Sequence, residues 1–272
     1  MADYKIIACD MDDTLLSSDA TICRRNIEAI AKATAKGVKF VPCTGRGFTS
    51  VEGILKTLGL ADQADQYVIS FNGGSITENK GSRSLYWDAI PFDLADRIYR
   101  RGVTYGMCMH IYTYEQVYVW GITPDEEAFL HGRMGYIPTT ETTLDFLRGK
   151  EEVGKLLITN TDEAVLDQIH QEMKPLLDDI KVNFSSNRYI EFMHKGVTKG
   201  VGLLKLAHLL GVQPEETMAI GDNINDIEML EAASLSIGVA NRNRAIDTYC
   251  DVITEATNNE GAVAEAIERF IL

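Results

Sequence analysis

The stretch KIIACDMDDTLL, residues 5–16, joins a run of apolar residues to a cluster of acids. The run Ile6–Cys9 is short, apolar throughout and ended by polar residues, which is typical of a strand buried on both faces. Asp10, Asp12 and Asp13 follow it. Carboxylates so close together repel one another, and at least one ionises with difficulty unless a positive charge lies between them. The sequence therefore has to supply a cationic partner for this cluster.

The composition limits the classes of function that the chain can have. It has 272 residues, 45% of them hydrophobic, which suits one large domain or two modest ones. There are 26 basic and 40 acidic residues, a net charge of −14. An acidic chain without a basic block is poorly suited to nucleic-acid phosphates or to an anionic membrane surface. A small anionic substrate requires a metal ion or a local basic residue to receive it.

Cysteine spacing and hydropathy indicate the compartment. The five cysteines are scattered without CxxC spacing, which argues against a disulfide framework and against a zinc site. The first residues lack the pattern of a signal peptide, and no apolar stretch approaches the roughly 18 residues that span a bilayer. We therefore expect a cytoplasmic protein without a membrane or nucleic-acid partner, present as a monomer or a homodimer.

Strands and helices alternate at both ends of the chain. Near the start, apolar strands are predicted at 5–9, 38–43 and 67–71, with a helix at 23–36 between the first two. The alternation resumes at Thr198, where a helix leads to a buried strand at 217–220. This alternation is typical of a parallel sheet with helices on both faces.

The middle of the chain has a different residue pattern, with aromatic residues and alternating polarity. The segment MCMHIYTYEQVYVWG, residues 107–121, predicts a hairpin of two alternating strands around a short turn. Hairpins mixed with helices suggest an α+β module with an antiparallel sheet. The fold class is therefore α/β: a Rossmann-like parallel-sheet core of residues 1–83 and 190–272, interrupted by an inserted α+β domain of residues 84–189.

Polar residues follow the strands of the predicted core. Because the carboxyl ends of parallel strands share one edge of the sheet, residues distant in sequence are expected to meet there in one pocket. The polar residues at these ends are Asp10, Asp12, Thr44, Asn72, Asp222, Asn225 and Asp226. Most of them are acids, and a hydroxyl and amides complete the rim.

An acidic pocket of oxygen ligands favours a hard cation. Mg²⁺ prefers octahedral oxygen and typically uses one or two carboxylates together with substrate phosphate. Alternatively, Asp10, Asp12 and Asp13 cap a solvated turn, but the second acidic segment, GDNIND, favours a metal site. The first segment does not fit a calcium-binding EF-hand loop, because Leu15 stands where Gly is needed and Thr21 where Glu is needed. A nucleotide-binding P-loop is absent from the sequence.

Four segments together resemble the haloacid dehalogenase superfamily of aspartate-nucleophile phosphatases, and within it the Cof-type branch of sugar-phosphate phosphatases. They are DMDDT at 10–14, TGR at 44–46, GVTKG at 196–200 and GDNIND at 221–226. They fall in the family's order and span most of the chain. The resemblance implies a hydrolase with a Rossmann-like core, in which the inserted domain 84–189 is a cap that excludes water and selects the substrate.

The resemblance also implies a role for each matching residue. Asp10 is the expected nucleophile, which forms an aspartyl-phosphate. Asp12 is the expected general acid and base, which protonates the leaving alkoxide and then activates water. Thr44 and the Gly45 amide are expected to bind phosphate oxygens. Lys199 is expected to neutralise charge on the phosphoryl group and on Asp10.

The remaining matching residues are assigned to the metal shell and the phosphate. The resemblance implies that Asp10, Asp222 and the carbonyl oxygen of Asp12 hold Mg²⁺. Asp226 is expected to support this shell, and Asn225 to contact phosphate. Without the other three segments, a solvated lysine at a helix start is the favoured interpretation of Lys199, and with them the catalytic role is favoured. Arg46 is interpreted as a salt bridge at the sheet edge and is left out of catalysis.

Two segments depart from the family pattern. The family's DxDGT has Gly where this chain has Asp13, a residue that also suits a turn. Near the C-terminus, NNEGAV at 258–263 replaces the family's Glu-Asp-Gly-Val, so a contact that other members make there is expected to be missing.

The function implied is a Mg²⁺-dependent phosphatase that acts on a small phosphorylated metabolite, with a sugar phosphate favoured. A phosphomutase or phosphotransferase on the same scaffold uses the same nucleophile and stays open. A phosphate- or metal-binding regulator without turnover is the alternative from another class, although it has little need of Asp12 beside Asp10.

Overall fold

The structure, a computed structural model, describes residues 3–272, and its first strand, β1 (Ile6–Asp10), is buried along its whole length. Ile7 and Cys9 pack into one apolar cluster, whereas Ile6 and Ala8 pack into another. Successive side chains of a strand point to opposite faces of the sheet. A strand covered on both faces is therefore apolar at every position, which explains the uninterrupted run after Lys5.

This strand lies in the middle of an eight-stranded sheet, in the order β14-β13-β12-β1-β2-β3-β4-β5. The six strands from β14 to β3 are parallel, and β4 is antiparallel to β3. The other strands of this sheet are β2 (Lys39–Cys43), β3 (Tyr67–Ser70), β4 (Ser75–Glu78), β5 (Arg83–Trp87), β12 (Thr217–Gly221), β13 (Leu235–Gly238) and β14 (Val252–Ile253).

Helices cover both faces of this sheet. Its helices are α1 (Arg24–Ala35), α2 (Glu52–Leu58), α6 (Lys199–Leu210), α7 (Ile227–Ala232) and α8 (Ala262–Phe270). Buried residues of α1, α2 and α8 pack in the cluster that contains Ile7, and those of α6 and α7 pack in the cluster that contains Ile6. The prediction of a parallel-sheet core with helices on both faces is confirmed.

A second sheet has six strands in the order β10-β11-β9-β6-β7-β8. Its neighbouring strands are antiparallel, except that β7 and β8 are parallel. The strands are β6 (Met109–Thr113), β7 (Val117–Trp120), β8 (Ile137–Thr139), β9 (Val153–Thr159), β10 (Ile180–Ser185) and β11 (Tyr189–His194), and the helices of this part of the chain are α3 (Phe92–Val103), α4 (Pro124–Leu130) and α5 (Glu163–Met173). β6 and β7 form the predicted hairpin.

The two sheets belong to two compact units. One comprises the described residues up to Tyr86 together with Thr198–Leu272, and the other comprises Trp87–Val197. The second unit includes β11, because β11 pairs with β9 and β10. The assignment of this unit as a cap domain stays a prediction. Within residues 3–272, no helix has both the length and the apolar character needed to cross a membrane.

A glycine permits the close packing of α6 on α7. A Cβ atom added to Gly200 would lie 2.0 Å from the carbonyl oxygen of Glu228 in α7. Backbone atoms cannot withdraw as a flexible side chain can, so a larger residue at this position has to push the two helices apart. The position of Lys199, the residue that begins α6, therefore depends on its glycine neighbour.

We predict that Gly200→Ala lowers the free energy of unfolding by about 1–3 kcal/mol, the usual cost of overpacking. Gly53→Ala in α2 is the matched control, because a Cβ there meets nothing within 4 Å. The control is expected to raise the free energy of unfolding by about 0.5–1 kcal/mol, since Ala is favoured over Gly in a helix. Urea unfolding of both variants measures the difference, and equal effects would contradict the packing argument.

Candidate active site

The carboxylate of Asp10 accepts a hydrogen bond from the ammonium of Lys199, and both side chains are almost completely buried. Asp10 is the last residue of β1, and Lys199 is the first residue of α6. Thr198 caps this helix by accepting a hydrogen bond from the amide of Val201 at 3.1 Å. The cap fixes the start of α6, so that the lysine side chain begins from a defined position.

Asp226 receives the second hydrogen bond of Lys199, at 2.6 Å, and is itself fully buried. Its other carboxylate oxygen accepts hydrogen bonds from the amides of Asp222 at 3.0 Å and Asn223 at 3.2 Å. One side chain thus binds the lysine and shapes the loop that follows β12. Asp222 is held in turn by the hydroxyl of Thr14, which donates to its carboxylate at 3.0 Å.

Three carboxylates converge in this cluster. One oxygen from each of Asp10, Asp222 and Asp226 lies within 4.8 Å of the others. When all three are ionised, the single ammonium of Lys199 leaves two negative charges in excess. Carboxylate oxygens are the donors that a hard divalent cation prefers, so the donor set fits Mg²⁺.

The pKa values in the cluster follow from burial and like charge. Burial and the charge of Asp226 raise the pKa of Asp10 well above its usual value, although Lys199 opposes the shift. Burial, followed by the charge of Asp226, raises the pKa of Asp222 to about 6. Burial lowers the pKa of Lys199, but Asp10 and Asp226 together outweigh it and raise that pKa, so the lysine stays charged. The one positive charge of Lys199 is therefore too little to balance the three carboxylates.

The residues expected to bind phosphate lie in different surroundings. Thr44 follows β2, whose last residue, Cys43, is paired with Asp10, so the threonine lies at the same sheet edge. Its side chain is buried. A Cβ added to Gly45 would lie 3.1 Å from the side-chain oxygen of Asn72, a tight approach. Asn225 is exposed, and in the described chain no hydrogen bond joins its side chain to the acidic cluster. Their roles stay predictions.

Asp12 has surroundings unlike those of Asp10. Its side chain is 57% exposed and forms an ion pair with the guanidinium of Arg46, which is 43% exposed. The two acids, two residues apart, thus have a buried lysine and an exposed arginine as their respective partners. The sequence interpretation gave Arg46 a salt bridge at the sheet edge but did not identify Asp12 as its partner.

Two asparagines that sequence reasoning missed hold the loop after β1. Asn258 is buried, and its side-chain amide donates to the carbonyl of Leu16 at 2.9 Å. Asn241 accepts from the amide of Asn258 at 2.8 Å and donates to the carbonyl of Asp13 at 2.8 Å. The segment NNEGAV, noted as a departure from the family, thus contacts the loop that carries Asp12. In the sequence, the presence of these two asparagines was the only indication of their contacts with the loop.

Asp13 adopts the backbone conformation that the family's glycine adopts easily. Its φ is 59° and its side chain is exposed. Asp and Asn tolerate the left-handed region better than other residues with a Cβ. The substitution of Gly by Asp at this point of the motif is therefore compatible with the turn.

Comparison with known proteins places these features in a family. A family model described as haloacid dehalogenase-like hydrolase matches residues 7–267. The Streptococcus pyogenes protein named "Putative phosphatase M6_Spy0533" is 30% identical over 272 residues, covering 98% of each chain. The 5-amino-6-(5-phospho-D-ribitylamino)uracil phosphatase YcsE of Bacillus subtilis is 28% identical, covering 99% of this chain and 97% of its own.

Solved structures are similar as well. The crystal structure of a haloacid dehalogenase-like hydrolase from Bacteroides thetaiotaomicron is 28% identical and superimposes with a TM-score of 0.85, covering 98% of this chain and 100% of its own. The similarity therefore extends over both units and includes the segments that carry the acidic cluster.

We predict that Asp222→Asn stabilises the protein at pH 7 when divalent metal has been removed with EDTA. In the folded protein the pKa of Asp222 is raised from 3.8 to about 6. Between pH 3.8 and about 6, Asp222 is therefore ionised in the unfolded chain but still protonated in the folded one. Ionisation then favours the unfolded state, and the contribution of Asp222 to stability is lost as pH rises through about 6. The amide cannot ionise, so the variant should gain about 2–3 kcal/mol over the wild type at pH 7 and nothing at pH 4.

Unfolding by urea at both pH values measures this gain. Excess Mg²⁺ provides the control, because ion binding stabilises the wild-type fold by mass action and the variant lacks one carboxylate ligand. We expect the order of stability at pH 7 to reverse. A variant that is less stable than the wild type at pH 7 without metal would contradict the electrostatic account of the cluster.

Proposed function

Since the chain belongs to the haloacid dehalogenase-like hydrolases and is a phosphatase, we propose that it hydrolyses phosphate monoesters through an aspartyl-phosphate on Asp10, with Mg²⁺ as the metal. The observation that carries the proposal is the buried cluster in which Lys199 pairs with Asp10 and Asp226, next to Asp222. Buried charges cost several kcal/mol each unless they are compensated. An acidic cluster with excess negative charge thus destabilises the folded protein when empty and favours the binding of a cation.

A divalent metal is general in this family. We propose that Asp10, Asp222 and the carbonyl oxygen of Asp12 hold Mg²⁺, with Asp226 in a supporting role. The ion, when bound, supplies positive charge that offsets the carboxylates and the phosphoryl oxygens. Lys199 adds a fixed positive charge beside Asp10, and its raised pKa keeps it protonated. Preorganised charge of this kind is the main requirement of phosphoryl transfer.

The proposed reaction has two steps. A carboxylate oxygen of Asp10 forms a bond to phosphorus while the ester P–O bond breaks, and Asp12 gives its proton to the departing alcohol oxygen. Asp12 then takes a proton from water, the water oxygen bonds to phosphorus, and the bond between phosphorus and Asp10 breaks. Inorganic phosphate leaves, Asp10 is again a free carboxylate, and Asp12 again carries its proton. Thr44 and the Gly45 amide orient the phosphate, with Asn225 as a further contact.

The substrate we propose is a small phosphorylated metabolite with a sugar-like carbon chain. The relative YcsE is named for a substrate that carries its phosphate on a ribityl chain, which supports this class. The acidic chain has no basic block to bind a polyanion such as a nucleic acid. We propose that the unit Trp87–Val197 serves as the cap that selects the substrate.

We predict that p-nitrophenyl phosphate is hydrolysed with Mg²⁺ and that Asp10→Asn lowers kcat by at least about 10³-fold, because the amide is a poor nucleophile. Asp13→Asn is the matched control: it changes a neighbouring exposed acid outside the cluster and should keep its activity. With a sugar added as a possible acceptor, release of inorganic phosphate equal to the p-nitrophenol formed distinguishes hydrolysis from transfer to the sugar. Activity that survives Asp10→Asn would contradict the mechanism.

A further inference from the structure

The ion pair between Arg46 and Asp12 joins the loops that follow two neighbouring strands, β1 and β2. The proposed function gives a role to Asp12 and none to Arg46. The pair is about half exposed, and exposed ion pairs contribute little to stability. We therefore expect the ion pair to orient the Asp12 side chain rather than to stabilise the fold.

Arg46 has a fixed main chain. Its amide donates to the hydroxyl of Thr44 at 3.0 Å, and its carbonyl accepts from the amide of Phe71 at 3.0 Å. Hydrogen bonds on both sides of the residue leave freedom only in the side chain. The guanidinium thus extends toward Asp12 from an anchored point on the neighbouring loop.

The residues on either side of Asp12 have hydrogen-bonded main chains. The amide of Leu16 donates to the carbonyl of Met11 at 2.8 Å, and Asn241 holds the carbonyl of Asp13. In residues 3–272, the guanidinium of Arg46 is the one hydrogen-bond partner of the Asp12 carboxylate. An exposed carboxylate on a fixed main chain can occupy several staggered rotamers. Arg46 is therefore the group that selects among them.

We propose that Arg46 is a positioning residue that holds the Asp12 carboxyl group where it meets the ester oxygen of the substrate. The inference rests on the proposed function, in which Asp12 gives a proton to that oxygen as the P–O bond breaks. A proton donor has to be within hydrogen-bond reach of the oxygen it serves. A displacement of about 1 Å can cost about 10²-fold in rate.

The leaving group reports on this role. A sugar alkoxide is strongly basic and departs as its proton arrives, whereas p-nitrophenolate is weakly basic and departs without one. The ratio kcat/KM covers the steps up to the release of the alcohol. A misplaced Asp12 should therefore lower kcat/KM for an alkyl phosphate and leave it nearly unchanged for p-nitrophenyl phosphate.

The test is Arg46→Met, which keeps an unbranched side chain but removes the guanidinium. We expect kcat/KM to fall about 10–100-fold for the best alkyl substrate among glucose 6-phosphate, ribose 5-phosphate and glycerol phosphate. For p-nitrophenyl phosphate we expect a change of less than about 3-fold. Asp12→Asn should show the same selectivity with a larger loss, about 10²–10⁴-fold. The double variant Asp12→Asn/Arg46→Met should be no slower than Asp12→Asn alone.

Arg25→Met is the matched control. Arg25 forms an ion pair with Glu268 at 2.5 Å, and its side chain is 46% exposed, much like that of Arg46. It has no contact with Asp12, so both substrates should keep their kcat/KM. A general effect of removing a surface arginine would appear in both variants.

Equal losses with the two kinds of ester in Arg46→Met, or no loss with the alkyl ester, would overturn the inference. A double variant slower than Asp12→Asn would also overturn it, because Arg46 would then contact the substrate directly. Each of these three outcomes leaves the proposed function standing if the wild type hydrolyses p-nitrophenyl phosphate. A wild type that leaves every ester intact would overturn the proposed function and the inference together.

Discussion

The ammonium of Lys199 between Asp10 and Asp226 is the interaction on which the acidic cluster depends. Without it, buried carboxylates would face one another with no compensating charge, a situation that costs several kcal/mol per ion. Its partners also have structural tasks, because Asp10 ends β1 and Asp226 holds the amides that follow β12. The Nζ atom of Lys199 therefore balances the charge of two residues that also determine the backbone geometry of the site. The lysine compensates only part of the negative charge of the three carboxylates, which leaves a donor set that fits a divalent cation.

The parallel sheet brings these groups together from distant parts of the sequence. Lys199 and Asp10 are 189 positions apart, but β1 lies directly beside β12, and α6 packs on α7 through Gly200. In an open α/β sheet, the ends of neighbouring strands form the usual crevice for a ligand. Asp10 ends a strand, Lys199 begins a capped helix, and Asp226 is tied to the loop after β12 by two amides. Support of this kind preserves the orientation that phosphoryl transfer requires.

Much of this arrangement could be predicted from the sequence. The apolar run at β1 and the polar residues after each strand predicted a shared edge, because the strand ends of a parallel sheet meet there. The partner of Arg46 could not be predicted, since hydropathy does not specify which loop side chains face each other. The same holds for Asn258, whose buried contact with Leu16 depends on the path of two loops. The parallel pairing of β7 with β8 also escaped prediction, because strand order is set by tertiary packing rather than by local pattern.

The insertion of one unit into the other determines the order in which the chain can assemble during synthesis. Trp87–Val197 is a continuous segment, so it can fold as soon as it has left the ribosome. The other unit has to wait, because β1 pairs with β12, whose residues are made more than two hundred positions later. Contacts of such long sequence separation form slowly. The apolar strands β1 and β2 are therefore synthesised early, but the sheet around them is completed only after α6 and β12 have been made.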